Sequence, residues 1–431
     1  MKIAYITAGA AGMFCGSCMH DNTLVAALSA LGHDALLVPT YTPIRTDEPD
    51  VSQKRVFFGG INVYLQEKLS FFRHTPWFLD RPLDANPLLR WVSRFAAKTS
   101  YEEMGTLAVS MLEGEHGHQA KEVAKLTGWL AREVKPEVVN LTNVLLSGAV
   151  HEMKRQMDVP VLGTLQGDDI FLQALAEPAR SKCIELIRAH CREMDGFVST
   201  SGYYADFMAE YLQIPRERIH VVHPGLNLAG HGRADGAPPR SEPPYTIGYF
   251  ARICPEKGLH NLVDALLLLG KEAKVPAWRL RVSGWLGQND EAYFYGLRRR
   301  LIDAGMADQF EHVAAPDHAS KVRFLQGLDI LSVPTTYREP KGLYVLEALA
   351  NGVPVVQPRH GSFPELIEAT GGGILVNSDD PADLARGLRK LLDDPALRAE
   401  LGRKGQEAVR QRFHSERMAR ETVEVYGKYV R

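Results

Sequence analysis

The sequence predicts an α/β protein of two domains, each a doubly wound parallel sheet. Three observations carry that prediction. Short apolar runs alternate with helix-forming stretches along most of the chain, as parallel strands joined by crossover helices do. The runs end in Gly, Pro or small polar residues before the next helical stretch begins. At 431 residues the chain exceeds one ordinary core, so two domains of roughly 200 residues each are expected.

Composition narrows the function classes. Forty-five per cent hydrophobic and 24% charged residues is ordinary soluble composition. A net charge of −2 leaves no electrostatic footprint for nucleic acid. No apolar stretch reaches the length of a transmembrane helix. The opening Met1-Lys-Ile-Ala-Tyr-Ile6 enters a strand directly, where a signal peptide would carry a charged and then an apolar region. Five cysteines, unevenly placed, argue for a reducing cytoplasm over a secreted disulfide framework.

The first domain, expected over 1–228, opens with a strand at Lys2–Ile6 and a Gly-containing loop at Thr7–Gly12. A helix at Asn22–Leu31 carries Leu24, Ala27, Leu28 and Leu31 on one face and is stopped by Gly32-His33. Further strands are expected at 35–39, 137–141, 159–164, 196–200 and 219–223. The segment 66–100 reads as an irregular, aromatic-rich insertion. Within it, Asn86 to Lys98 mixes Leu88, Leu89, Trp91, Val92 and Phe95 with Arg90, Arg94 and Lys98. That basic amphipathic pattern suits a weak peripheral membrane contact, or equally a helix covering a cleft.

Residues 229–245, rich in Gly, Pro and charge with no apolar period, read as a linker. A second α/β series then runs over 246–414, with strands at 246–250, 279–283, 310–313, 329–333, 354–356 and 373–376. Helices are expected at Leu259–Leu269, Leu343–Asn351, Pro381–Leu392 and Pro395–Gln411, and a last one over 415–431.

Two loops of this second series hold the residue types that anion chemistry needs. Glu339-Pro-Lys-Gly-Leu-Tyr-Val-Leu-Glu347 lies between a strand end and a helix. The loop delivers the N–H groups of Gly342 and Leu343 to a helix N-terminus, where unpaired donors and the helix dipole stabilise a phosphate. Glu339 and Glu347 would flank that anion and accept hydrogen bonds from hydroxyls of an attached sugar or ribose. Arg252 and Lys257 project from the loop after the strand ending at Phe250. Two fixed cations there would stabilise charge developing on a diphosphate leaving group. Gly284 ends another strand and would let backbone approach a nucleotide.

This spacing resembles the E-x7-E signature of retaining glycosyltransferases of the GT-B fold, group 1 (family 4). Glu339-Pro-Lys-Gly-Leu343 is also similar to the E-P-C-G-L of glycogen and starch synthases, and Arg252 to Gly258 resembles the family's R-x4-K-G segment. The resemblance implies two Rossmann-like domains facing a central cleft, with a last helix crossing back to the first. It implies sugar transfer from a UDP-, GDP- or ADP-sugar with retention at the anomeric carbon and no metal or other cofactor. Glu339, Arg252 and Lys257 would be catalytic; Gly12, Gly284, Gly342, Leu343 and Glu347 would hold the donor. The acceptor, a carbohydrate, lipid or small molecule, is left open. An epimerase or phosphorylase on the same fold is the alternative.

The first domain departs from the family's pattern. Gln166 stands where many members have His, so no catalytic imidazole carries over. Gln166, Asp168 and Asp169 are acceptor-site candidates, although the two aspartates could equally cap the next helix. Cys15-x-x-Cys18, with His20 and Asp21 nearby, could pack the loop, touch an acceptor or do thiol chemistry. A nicotinamide enzyme is disfavoured. The Gly9-x-x-Gly12 loop lacks the full three-glycine pattern, and Pro39-Thr40 rather than an acid ends the second strand.

Overall fold

The computed structural model describes residues 1–9, 15–54, 56–58, 66, 101–232 and 242–430. Gly12, the Asn86–Lys98 stretch, nearly all of the insertion and the middle of the 229–245 segment lie outside the described residues. The chain divides into two compact units, Met1–Gly225 with Ser415–Arg431, and Leu226–His414.

The first unit holds six parallel strands: β1 (Lys2–Thr7), β2 (Asp34–Pro39), β3 (Val138–Leu141), β4 (Val161–Leu165), β5 (Gly196–Ser199) and β6 (Ile219–Val221). Their spatial order is β2-β1-β3-β4-β5-β6. Strands β3, β4 and β5 are buried along their whole length, which is why they read as continuous apolar runs. The helix Ser415–Gly427 belongs to this unit. Its Met418, Ala419, Val425 and Tyr426 join Ile3, Tyr5, Leu24 and Leu28 in one apolar cluster.

The first helix runs Gly16–Ala30, starting six residues before the expected Asn22. Cys18, His20 and Asp21 are therefore helical and buried. Polar residues in the first turns hid the helix start, because its periodicity only becomes apolar from Leu24.

The second unit repeats the architecture with β7 (Tyr245–Phe250), β8 (Trp278–Ser283), β9 (Phe310–His312), β10 (Ile330–Leu331), β11 (Val355–Pro358) and β12 (Gly373–Val376). All pairings are parallel, in the order β12-β11-β10-β7-β8-β9. Strand β7 thus has β8 on one side and β10, three strands later in the chain, on the other. The β7/β10 boundary is the topological switch point, and crevices outside the carboxyl ends of strands at such points receive ligands. The described part of the 229–245 segment is held on this unit: the Gly232 amide donates to Asn351 Oδ1 at 2.9 Å, and His318 Nε2 lies 2.8 Å from the Ala229 carbonyl. No helix of the described residues is long and apolar enough to cross a membrane.

Candidate active site

The loops that leave β7 and β10 are stitched together at the switch point. The Thr336 amide donates to the Glu256 carbonyl at 3.0 Å. Gly258 makes the approach feasible: its φ is +73°, and a Cβ there would lie 1.7 Å from the Pro334 carbonyl oxygen. Only glycine tolerates both conditions. The contact carries Lys257, from the first loop, onto Glu339, from the second, at 2.8 Å.

Glu339 is 4% exposed and accepts five hydrogen bonds. Its Oε2 receives Lys257 Nζ at 2.8 Å, the Tyr337 hydroxyl at 2.8 Å and the Tyr344 hydroxyl at 3.1 Å. Its Oε1 receives the Lys341 and Gly342 amides, each at 3.3 Å. Burial alone would raise this carboxyl. The Lys257 ammonium and the surrounding donors outweigh it and hold Glu339 at about 2. The same carboxylate pushes Tyr337 and Tyr344, already raised by burial, further up. Lys257 also sits over both rings, 4.9 Å from the Tyr337 centroid and 5.1 Å from that of Tyr344, where the ring quadrupoles attract a cation.

The helix Leu343–Ala350 begins with Gly342 at φ +65°. The two amides just before it, those of Lys341 and Gly342, hold the chain's own Glu339 carboxylate. The carboxylate lies at the loop amides instead of beside them, because the turn from Glu339 to Gly342 folds the side chain back over its own backbone.

Glu347, one turn along the helix, is also placed differently from a ligand-facing acid. It is 4% exposed, and its Oε1 accepts from Lys321 Nζ at 2.7 Å. Lys321 comes from the helix His318–Gln326. No motif marks it, so the pairing is invisible in the sequence.

Arg252 is exposed. Its Nε donates to Cys254 Sγ at 3.3 Å, and among the described residues it pairs with no carboxylate. Its guanidinium therefore keeps donors for an anion arriving at the mouth of the site. Gly284 has φ +142°, and a Cβ there would fall 1.7 Å from the Ala251 carbonyl oxygen. What the missing side chain admits is the neighbouring loop, one residue before Arg252.

The first unit gathers a buried polar cluster at the carboxyl ends of β1, β3 and β4. Asp21 is its centre. Its Oδ2 accepts from the Thr7 hydroxyl at 2.9 Å and the Thr142 hydroxyl at 2.5 Å, and its Oδ1 from Gln166 Nε2 at 3.2 Å. His20 Nδ1 lies 3.3 Å from the same Oδ1. Gln166 is thus tied to Asp21 and to the Thr142 carbonyl. Asp168 accepts from the Val144 and Gln166 amides, which commits both oxygens to fastening loops; burial raises its carboxyl to about 6. Asp169 accepts from the Tyr204 hydroxyl at 2.6 Å, and burial raises it too. Both aspartates sit in the first turn of the helix Asp168–Ala174.

Cys15 and Cys18 form no disulfide and stand at the N-cap and third position of the first helix. The Cys15 thiol and burial push Cys18 far above its ordinary value, which makes it a poor nucleophile. Among the described residues no group of three or more His, Cys, Asp or Glu could hold a metal ion.

Known proteins resemble this chain along most of its length. The profile of Glycosyl transferases group 1 matches residues 234–408, and that of Glycosyltransferase Family 4 matches residues 105–229. A glycogen synthase of Mycobacterium tuberculosis (strain CDC 1551 / Oshkosh) is 26% identical over 409 residues, covering 94% of this chain and 89% of that protein. The lipopolysaccharide core biosynthesis mannosyltransferase LpsB of Rhizobium meliloti is 30% identical over 254 residues, 56% of this chain and 67% of that one. Among solved structures, sucrose-phosphate synthase from Thermosynechococcus elongatus superposes with a TM-score of 0.72 at 19% identity, covering 99% of both chains. Anabaena HepE in complex with UDP-glucose gives 0.67 at 16% identity, also covering 99% of both.

Proposed function

The chain belongs to the group 1 glycosyltransferases, with two Rossmann-like domains of the GT-B type, and from that premise we propose that it moves a sugar from a nucleotide-diphosphate sugar to an acceptor hydroxyl with retention at the anomeric carbon. The observation that carries the proposal is the contact of Lys257 with Glu339 at 2.8 Å, which joins a diphosphate-binding cation to a sugar-reading acid at the switch point. The likeness to HepE, solved with UDP-glucose, supports the donor class.

In this reading the bond from the anomeric carbon to the diphosphate oxygen breaks as the acceptor oxygen approaches on the same face. The acceptor proton passes to the departing phosphate. Arg252 and Lys257 stabilise the charge that builds on that phosphate, more in the transition state than before it. The Leu343 amide, an orphan donor in the first helical turn, adds to them. These fixed charges do the neutralising that a divalent cation does elsewhere, so the reaction needs no metal. Glu339 orients the sugar hydroxyls. The acceptor is a carbohydrate, lipid or small molecule, bound by the first unit.

The test is a panel of UDP-, GDP- and ADP-sugars, with transfer or donor hydrolysis followed by NMR. Wild type should give a product of the donor's anomeric configuration. Arg252→Ala should lower kcat by roughly 100-fold or more without loss of fold, since the side chain is exposed. Inversion of configuration, or wild-type turnover in both Arg252→Ala and Glu339→Ala, rejects the reading.

A further inference from the structure

Glu339 is over-subscribed. A carboxylate offers about four lone-pair positions, and this one accepts from five donors. A sugar hydroxyl would be a sixth. It gains a place only if one of the five withdraws.

The five are not equally able to leave. Two are backbone amides of the Lys341-Gly342 turn and move only with it. Tyr344 is buried at 7% exposure on the helix that follows, and Tyr337 lies on the same loop as Glu339. Lys257 alone comes from another loop, on a flexible four-carbon stem, and it alone carries charge. It is also the one donor that a diphosphate, with more negative charge than a single carboxylate, can outbid Glu339 for. Its position over the Tyr337 and Tyr344 rings keeps the ammonium stabilised as it shifts.

We propose that Lys257 latches Glu339, and that a nucleoside diphosphate releases the latch, drawing the ammonium away and freeing Oε2 for the sugar. Phosphate recognition and sugar recognition are then coupled through one ion pair, and each favours the other by the same factor. This deepens the proposed function and rests on it: the sugar end of the donor is read only after the diphosphate end has docked.

The latch makes an unusual demand. Removing the carboxylate charge must improve binding of a nucleoside diphosphate, because Lys257 no longer has to be pulled from a partner. The experiment measures Kd of UDP, GDP and ADP by calorimetry on the full chain, for wild type and Glu339→Gln. The expected result is tighter nucleotide binding in E339Q, by about fivefold or more at the lower end of ordinary coupling, together with loss of sugar transfer. Should E339Q not fold, Glu339→Asp serves: it keeps the charge but draws it back from Lys257, and a smaller gain in the same direction is expected. Unchanged or weaker nucleotide binding in the folded variant overturns the latch alone. Failure of all three nucleotides to bind the wild type overturns the proposed function, and the latch with it.

Discussion

Burial and five donors make the stability of the second unit depend on the ionisation of Glu339, and Glu339→Gln isolates its contribution. Its folded value of about 2 lies below its ordinary 4.5. A depressed carboxyl contributes stability that is fully present above the unfolded value and is lost as pH falls toward the folded one. The difference amounts to about 3 kcal/mol at neutral pH, at about 1.4 kcal/mol per pH unit. By linkage, a little under half of that is gone at pH 3.5 and the rest disappears near pH 2. The glutamine variant lacks the titrating group, so its stability deficit should shrink by the same amount over the same interval, on top of any pH-independent loss from altered hydrogen bonds. Hydrogen exchange in a urea series, read on peptides covering Leu343–Ala350, measures this in the right unit. A deficit that stays constant from pH 7 to pH 3.5 would refute the electrostatic account of this site.

Two further outcomes follow from the packing. Lys321→Met takes the ion-pair partner from the buried Glu347 carboxylate and should cost about 3–5 kcal/mol, whereas the double variant Lys321→Met, Glu347→Leu should recover most of it; denaturant unfolding of the three proteins checks both signs. Gly258→Ala puts a Cβ against the Pro334 carbonyl at a positive φ, and should destabilise the unit by at least about 2 kcal/mol while lowering nucleotide affinity through the displaced Lys257, as thermal shift with and without nucleotide would read.

The strand and helix order of both units was legible because buried parallel strands leave uninterrupted apolar runs, as at Val161–Leu165 and Gly373–Val376. Glu339, Arg252 and Lys257 were legible as candidates because loops at strand ends carry a local spacing. The partners were not. Lys321 is 26 residues from Glu347 in the chain, and only the fold brings the two helices together. The Asp21 cluster joins residues from three separate strand ends, and nothing local distinguishes that aspartate from a solvated one. A glycine at a strand end, as at Gly284, says that something comes close without saying what; the Ala251 carbonyl lies where its Cβ would be.

Finally, the helix Ser415–Gly427 closes the apolar cluster around Tyr5 and Leu28, yet it is made only after the whole second unit. Between Gly225 and Ser415 the whole second unit must be synthesised, which at ordinary elongation rates takes on the order of 10–40 s. Throughout that interval the nascent first sheet carries an uncapped greasy flank. The amino-terminal half can thus finish folding only once the second unit has been made, and a premature stop codon before Ser415 would damage the beginning of the molecule.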